Sequence, residues 1–459
     1  MRFAAVAVSG LRRALSCLIP LCFLLLQGCN GEDATSPPAT VWLPDWEELE
    51  PMTVMRAGAA AVVHDGRIYM IGGVDGRIYL RTVESARILA DGRLSPWRPR
   101  RLLPEARGFA DAVVHQGYLY VIGGANGRHG ENLLASVVRA RIQADGELGQ
   151  WEILPQSLRL PRRCAKVCLH GDRLLALGGY AGSLLDSVEW TRLDNAGSRP
   201  WRLATQTLTR PRYVNAVKRH GEYVYVLGGH DAERGVGLAA VEFARLDTHE
   251  PRWRETAPLQ RGSYGLAAAS WGDYLYALGG LTGSAYLDRI EFARLGPGGE
   301  ITSWHNNTPL PEPLSNFNAL VVGEALYVLG GAGPGRYSNR VYRAGIRADG
   351  RLGMFLSAVQ AEKRRLAREQ RLPAPQAALP HRGRVLEVLQ TAAYSYIRVR
   401  RADGVEQWLA APVTELQVGQ EIAYSQGVPM SDFYSKSLAR RFGYVLFIGT
   451  VKSLSGGGK

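Results

Sequence analysis

Residues 56–73 read RAGAAAVVHDGRIYMIGG, and this stretch decides the fold. Two apolar runs flank the turn His64-Asp65-Gly66, and the second run ends in a pair of glycines, Gly72 and Gly73. Apolar runs joined by Asp-Gly are typical of a β-hairpin, and a glycine pair permits a tight turn out of the second strand. Residues 107–124 read RGFADAVVHQGYLYVIGG and repeat the pattern, so we expect the hairpin to recur along the chain.

Two independent markers recur with one period. The glycine pairs are separated by 51, 55, 50, 51 and 51 residues, and a tryptophan recurs after 51, 54, 50, 52 and 51 residues. The pairs begin at Gly72, Gly123, Gly178, Gly228, Gly279 and Gly330, and the tryptophans are Trp46, Trp97, Trp151, Trp201, Trp253 and Trp304. A constant period of this length indicates a repeat architecture.

Each period predicts four antiparallel strands, and six periods predict an all-β, six-bladed propeller over residues 45–355. Small residues in the first strand fit the crowded axis, and the tryptophan on the fourth strand buries area between neighbouring blades. Because Trp46 precedes the first glycine pair, we expect its strand to complete the sixth blade. Phe355 occupies a tryptophan-like register, so closure of the ring from the C-terminal side is the alternative.

The repeat resembles the kelch motif. In both, Arg is separated from His by seven residues and His from Gly by one, and Tyr and a Gly-Gly pair follow. The resemblance covers all six repeats, about two thirds of the chain. The last two depart from it, with Ser263 and Leu314 in place of Arg and Trp271 and Val322 in place of His. The resemblance implies a kelch-type propeller that binds partners at one mouth.

The N-terminus predicts a targeting segment. Arg2, Arg12 and Arg13 precede an apolar run at residues 14–26, which is too short to span a bilayer comfortably. Residues 26–29, Leu-Gln-Gly-Cys, resemble a bacterial lipobox, which implies a signal peptide at 1–28 and lipidation of Cys29. Asn30 after this cysteine favours the outer membrane of a Gram-negative cell, facing the periplasm. We expect a tether at 29–44, with an ordinary secretory signal as the alternative.

Charge and cysteine content narrow the partners. Removal of residues 1–28 lowers the formal charge from +13 to +10, because it removes three arginines and no acidic residue. A basic exported protein suits anionic lipid, polysaccharide or an acidic partner, whereas the sequence holds no nucleic-acid-binding motif. Cys164 and Cys168 are the cysteines that follow Cys29, and their spacing in a strand is too long for a disulfide.

The C-terminal third predicts a second domain. Residues 356–380 predict a short basic helix and a proline-rich linker, and residues 453–459 a flexible tail. Between them, residues 381–452 favour a small closed β-barrel of OB or SH3 type. The predicted strands are residues 383–390, 394–401, 406–411, 421–424 and 444–451.

This domain also resembles the NrfJ-like family, small exported domains associated with multihaem nitrite-reductase clusters. The matching stretches are residues 383–388, 394–396, 408–412, 429–430 and 433–438. The resemblance implies a neighbourhood of redox proteins. The family pattern has a His before Ser-Lys, where this sequence has Tyr434, so we predict no metal site from Met430 and no cofactor.

Strand direction predicts which residues share the propeller mouth. The start of the first strand and the loop between the second and third strands fall on one face of each blade. We therefore predict a ligand-binding mouth from Arg56, Arg107, Arg162, Arg212, Tyr213, Ser263, Tyr264 and Asn316. An arginine ring suits carboxylate, phosphate or acidic peptide. The alternative is that these arginines are motif residues that hydrogen-bond backbone carbonyls inside the propeller.

The sequence favours a binding module over an enzyme. His64, His115, His170 and His220 lie in turns of four different blades, too far apart to share a metal ion. We expect a lipid-anchored scaffold for a protein or an anionic ligand at the cell envelope. The alternative is a periplasmic carbohydrate-active enzyme of the sialic-acid mutarotase type, because exported kelch propellers include such enzymes. That alternative needs His129, Glu131, His230, Asp231 or Glu233 beside an arginine at the mouth.

Overall fold

The computed structural model describes residues 40–231, 235–247, 251–283, 285–369, 379–391, 394–435 and 437–454. The predicted signal peptide, Cys29, most of the linker and the tail from 455 lie outside the described residues. Within them the protein is all-β except for one helix, with a six-bladed propeller followed by a further β-sheet domain. This confirms the fold class predicted from the repeat.

Five blades are antiparallel sheets built from consecutive strands. Blade 1 comprises Ala60–His64, Arg67–Ile71, Val83–Arg87 and Arg98–Arg100, and blade 2 comprises Asp111–His115, Tyr118–Ile122, Val137–Ile142 and Leu148–Ile153. Blade 3 comprises Lys166–His170, Arg173–Leu177, Val188–Asp194 and Arg202–Leu203, with the short strand Gly197–Ser198. Blade 4 comprises Ala216–His220, Tyr223–Leu227, Val241–Arg245 and Arg254–Thr256, and blade 5 comprises Ala267–Trp271, Tyr274–Leu278, Ile290–Arg294 and His305–Asn306.

Blade 6 contains both ends of the propeller. Its inner strands are Asn318–Val322, Ala325–Leu329 and Val341–Ile346. Glu47–Leu49 pairs with the first half of the third strand, with Glu47 opposite Arg343, whereas Leu352–Ser357 pairs with its last residues. Thr40–Leu43 then pairs with Leu352–Ser357. The N-terminal and C-terminal closures that the sequence left as alternatives therefore operate together, and the propeller begins at residue 40 rather than 45.

Side chains that the repeat supplies join neighbouring blades. The Trp46 indole nitrogen donates a hydrogen bond to the Pro309 carbonyl at 2.8 Å, and Trp304 donates likewise to Ala257 at 2.9 Å. The Tyr327 hydroxyl of blade 6 donates to the Gly92 carbonyl of blade 1 at 2.7 Å. A buried aromatic ring with a satisfied polar tip stabilises each contact, so the tryptophan period marks blade-to-blade packing.

The C-terminal domain is a seven-stranded sheet reached through the helix Ala358–Glu369. Its strands are His381–Gln390, Tyr394–Arg401, Glu406–Pro412, Glu421–Tyr424, Gly427–Ser435, Arg440–Ile448 and Val451–Ser453. Two further short hairpins belong to loops of the propeller, namely Ala125–Asn126 with Asn132–Leu133 and Ala332–Gly333 with Arg336–Tyr337. The sequence did not predict Gly427–Ser435, because Pro429 and polar residues interrupt its apolar pattern. This strand lies at one end of the sheet order, where a proline is tolerated.

Residues 40–459 form one compact unit, because the C-terminal domain packs on the propeller. Cys164 and Tyr213 of the propeller share a hydrophobic cluster with Tyr394 and Met430 of the C-terminal domain. The Tyr394 hydroxyl also donates a hydrogen bond to the Gly235 carbonyl in a blade 4 loop. The C-terminal domain therefore covers the mouth that the sequence predicted to bind a ligand.

Candidate functional site

The four motif arginines lie inside the blades. Arg56, Arg107, Arg162 and Arg212 are at most 1% exposed. In blade 3, Arg162 donates to the Gly178 carbonyl at 2.9 Å and to the Glu189 carboxylate at 2.5 Å. Each arginine makes the same bond to the first glycine of its Gly-Gly pair, which explains why the two motifs recur together.

Each of the four motif arginines forms an ion pair with a glutamate, which is buried in three cases and lies in a loop in the fourth. Glu84, Glu189 and Glu242 pair with Arg56, Arg162 and Arg212 at 2.7, 2.5 and 2.7 Å, and Glu105 pairs with Arg107 at 2.7 Å. Burial lowers the pKa of all four guanidinium groups, and the paired carboxylates oppose that shift. Because these hydrogen bonds occupy the guanidinium groups within the blades, the arginine ring predicted at the mouth is not a ligand-facing surface.

Six residues form a ring around the propeller axis, and each lies two positions after the arginine position of its repeat. Gly58, Phe109, Cys164, Val214, Gly265 and Asn316 all have φ between +52° and +65°. The ring continues from blade to blade through backbone hydrogen bonds, such as Phe109 N to Gly58 O at 2.7 Å and Cys164 N to Phe109 O at 2.8 Å. Holding non-glycine residues in this left-handed region costs backbone energy, which the inter-blade hydrogen bonds offset.

A cavity of about 350 Å³ lies between this ring and the C-terminal domain, and we call it the chamber. Its size falls in the range of small-molecule sites. Aromatic rings line it, namely Tyr79, Phe109, Tyr213, Tyr264, Tyr337 and Tyr444. Its basic lining groups are Arg77, Arg128, Arg163, Arg401, His129 and His381, and no aspartate or glutamate lines it within the described part of the chain.

Arg163 is the buried cation of the chamber. It is 6% exposed, and its guanidinium contacts the Gly130 carbonyl at 3.3 Å, the Met430 sulfur at 3.8 Å and the face of Tyr180 at 5.0 Å. It forms no ion pair with any carboxylate in the described ranges. A buried charge of this kind is costly unless a counter-charge joins it, so Arg163 provides a site for an anion.

The tyrosine beside Arg163 has a perturbed phenol. Burial raises the pKa of Tyr79 to about 12, although the charge of Arg163 acts in the opposite direction. Burial also raises the pKa of Tyr213 and Tyr264. These phenols therefore stay protonated at neutral pH. Tyr213 and Tyr264 donate to the Met430 sulfur at 3.7 Å and to the Gly283 carbonyl at 3.5 Å, whereas Tyr79 can donate a hydrogen bond to a ligand oxygen.

Three of the eight predicted mouth residues reach the chamber. Tyr213, Tyr264 and Asn316 line it, whereas the four arginines and Ser263, which is 3% exposed, do not. The sequence analysis missed Arg163, which directly follows a motif arginine and so shares the register of Tyr213 and Tyr264. The same register would have predicted it. No local signal predicts the chamber residues of the C-terminal domain.

The candidate acid–base residues of the enzyme alternative separate in the structure. His129 lines the chamber, and its ring contacts that of Tyr444 at 4.6 Å. Glu131 instead accepts hydrogen bonds from its own backbone amide and from the amides of His129 and Arg128 in its loop, and these bonds lower its pKa. His230 is buried between Tyr213 and Tyr264, and burial lowers its pKa to about 4. Asp231 is not among the chamber residues, and Glu233 lies outside the described residues.

The turn histidines lie where the sequence placed them. His64, His115, His170 and His220 end the first strands of blades 1 to 4. Across the described ranges, no group of three or more His, Cys, Asp or Glu side chains is close enough to hold a metal ion. In the same ranges, no helix is long and apolar enough to cross a membrane.

Comparisons with known proteins agree with this architecture. The family model of the kelch motif matches residues 55–85. Kelch-like protein 33 of Homo sapiens is 34% identical over 107 residues, which are 22% of this chain and 19% of that protein. Spermatocyte protein spe-26 of Caenorhabditis elegans is 29% identical over 151 residues, 32% of this chain and 25% of that protein. The chain thus spans a quarter or less of the length of these curated relatives.

A solved structure shows the fold alone. The structure of YjhT superposes with a TM-score of 0.56 at 15% identity, over 67% of this chain and 99% of that one. The match of the kelch motif at residues 55–85 and the superposition both agree with the six-bladed β-propeller that the structure shows. In this chain the C-terminal domain covers the mouth, so the chamber beneath that domain is the candidate ligand-binding site.

Proposed function

We propose that this chain is an exported, lipid-anchored binding module of the cell envelope, and that its ligand is a small anionic molecule held in the chamber. The observation that carries the proposal is Arg163, a buried cation without a carboxylate partner among the described residues. Aromatic rings with protonated phenols surround it and suit the uncharged body of such a ligand. A carboxylate would form a bidentate pair with the guanidinium group.

The envelope setting of the proposal rests on the sequence. The lipobox-like residues 26–29 and Asn30 favour attachment through Cys29 to the outer membrane of a Gram-negative cell, on the periplasmic side. The likeness of residues 381–452 to the NrfJ-like family favours a neighbourhood of redox proteins. A protein partner would use the outer surfaces of the molecule, because the C-terminal domain already covers the propeller mouth.

The ligand is tested on the full chain with the Cys29→Ser substitution, which keeps the protein soluble for calorimetry. A panel of acidic sugars and small carboxylates is titrated beside their neutral amides. We expect acids alone to bind, and Arg163→Gln to weaken them at least 30-fold, which corresponds to about 2 kcal/mol. Arg382→Gln removes the same charge from an exposed strand residue outside the chamber and should leave affinity unchanged. Equal binding of acids and amides would exclude the proposed anion site.

The anchor is tested separately in cells. Metabolic labelling with a palmitate analogue should mark the unsubstituted protein and not Cys29→Ser. Membrane fractionation should place the unsubstituted protein with the outer membrane. Release of the unsubstituted protein into the soluble periplasmic fraction would contradict lipid anchoring without affecting the chamber.

A second candidate function is mutarotation of an acidic sugar. The observation that favours it is that His129 and Arg163 line the same chamber, since a neutral imidazole can move the proton that opens a sugar ring. The test follows the anomers of N-acetylneuraminate by proton NMR with and without the protein. Faster anomer exchange that His129→Gln abolishes would support this function. Binding of the acid without faster exchange would leave the protein a binding module.

A further inference from the structure

The chamber has a second positive region, located where the propeller meets the C-terminal domain. Arg128 belongs to a blade 2 loop and Arg401 to the C-terminal sheet, and both line the chamber. Tyr444 lines the chamber as well, and its ring is 4.6 Å from the His129 ring. Burial raises the Tyr444 pKa, and the charges of Arg128 and Arg401 oppose that rise. We call Arg128, Arg401 and Tyr444 the seam subsite.

The seam subsite brings like charges from two domains together. Asp403 pairs with Arg401 at 2.8 Å and offsets one of them. The Arg128 guanidinium makes no ion pair with any carboxylate in the described ranges, and its loop carboxylate, Glu131, bonds backbone amides instead. Arg128 is exposed, so water screens its charge, but it lines the chamber together with Arg401, and no aspartate or glutamate lines the chamber in the described ranges. The seam subsite is therefore a second place in the chamber where a negative charge would be stabilised.

The two positive regions are close together. Arg163 donates to the Gly130 carbonyl, and Gly130 is two residues from Arg128 in the same loop. Two Cα–Cα steps span at most about 7 to 8 Å, so the Cα atom of Arg128 lies within that distance of the Cα atom of Gly130. A short molecule can reach both at once, whereas a ligand with one charge leaves one of them unpaired.

We propose that the chamber takes a short dianion, with one anionic group on Arg163 and the other at the seam subsite. This inference rests on the proposed function, because it names the class of ligand for the same chamber. A ligand that contacts Arg163 of the propeller and Arg401 of the C-terminal domain also ties the two domains together. Its uncharged body lies against Tyr79 and Tyr213.

The test compares acids of matched size on the full chain carrying Cys29→Ser. Saturation-transfer NMR titrations at low salt measure affinities for butyrate, succinate, glutarate and the diamide of glutarate. We expect the better of the two dicarboxylates to bind at least tenfold more tightly than butyrate, and the diamide not to bind. Arg128→Gln should reduce the dicarboxylate affinity to that of butyrate and leave butyrate unchanged. Arg163→Gln should weaken all acids, and Arg382→Gln none.

Hydrogen exchange gives a second reading. Saturating dicarboxylate should slow exchange in the strand Gly427–Ser435, which lies over the chamber, whereas saturating butyrate should not. Equal affinity for butyrate and the dicarboxylates would overturn the dianion inference and leave the proposed anion site intact. Absence of binding by every acid tested, including the acidic sugars, would overturn both.

Discussion

Arg162 and Arg163 are adjacent in sequence, yet the structure predicts opposite effects when each is replaced by methionine. Arg162 is fully buried and pairs with Glu189, which is also fully buried. Arg162→Met leaves that carboxylate without its cation, and breaking a buried pair in this way costs about 3 to 5 kcal/mol. Arg163 has no carboxylate partner among the described residues, so its replacement leaves no charge unpaired.

The magnitude for Arg163→Met follows from its contacts. The substitution removes one hydrogen bond to the Gly130 carbonyl at 3.3 Å, a weak contact with the Met430 sulfur at 3.8 Å and one contact with the Tyr180 ring at 5.0 Å. Together these contribute about 1 to 3 kcal/mol. The effective cost of burying an unpaired ion is several kcal/mol. We therefore expect Arg163→Met to stabilise the ligand-free protein by about 1 to 2 kcal/mol while it abolishes anion binding.

Scanning calorimetry of the ligand-free protein measures this difference. With an unfolding entropy of about 2.1 cal/mol/K per residue, a chain of this length should gain only about 1 to 2 °C in melting temperature. Arg162→Met should lower the melting temperature by several degrees. If Arg163→Met lowered it as much, Arg163 would be a structural residue like its neighbour, and the argument for an anion site would fail.

The remaining predictions concern the ring, a buried histidine and the domain contact. Gly58→Ala should destabilise the protein about 1 to 3 kcal/mol more than Gly66→Ala, as measured by urea denaturation. Both glycines have positive φ, but only at Gly58 would a Cβ atom lie 2.7 Å from the Phe109 ring. Equal losses of unfolding free energy in the two variants would contradict this prediction. Burial lowers the pKa of His230 to about 4 in the folded state, against an ordinary value of about 6.5, so the unfolded state binds more protons between these two pH values. The free energy of unfolding should therefore fall by about 3 kcal/mol as the pH drops through that window. His230→Phe should remove that loss in urea titrations at pH 7.5 and 4.5, whereas the exposed His305→Phe should retain it; an unchanged pH dependence in His230→Phe would exclude His230 as its source. Tyr394→Phe removes the hydroxyl that bonds Gly235 and should speed hydrogen exchange in Tyr394–Arg401 without shifting exchange in Ala60–His64; faster exchange in both strands would indicate a global effect instead.

The sequence by itself determined the number of blades and the strands within them. Period-two alternation and turn residues act over a few neighbours, so residues 56–73 predict their hairpin wherever the chain places it. The spacing of about 50 residues between Trp97 and its equivalents then predicts the blade-to-blade contacts. Trp97 and Trp304, for example, are buried, and each donates a hydrogen bond to a carbonyl of the preceding blade. Five strands of the C-terminal domain were predicted for the same local reason. Gly427–Ser435, where Pro429 interrupts the pattern, and Val451–Ser453 were not predicted as separate strands.

Only the tertiary structure decided which polar groups face a ligand. Arg162 and Arg163 are alike in sequence, and strand pairing turns the first into its blade beside Glu189 and the second into the chamber. The chamber itself exists because residues more than 200 positions later, such as Met430 and Tyr394, pack on the mouth. Burial and pairing are properties of the whole fold, since they depend on what lies opposite each side chain. The repeat motif places the arginines in the sequence, whereas the packing of the blades and of the C-terminal domain determines which arginine has no carboxylate partner among the described residues.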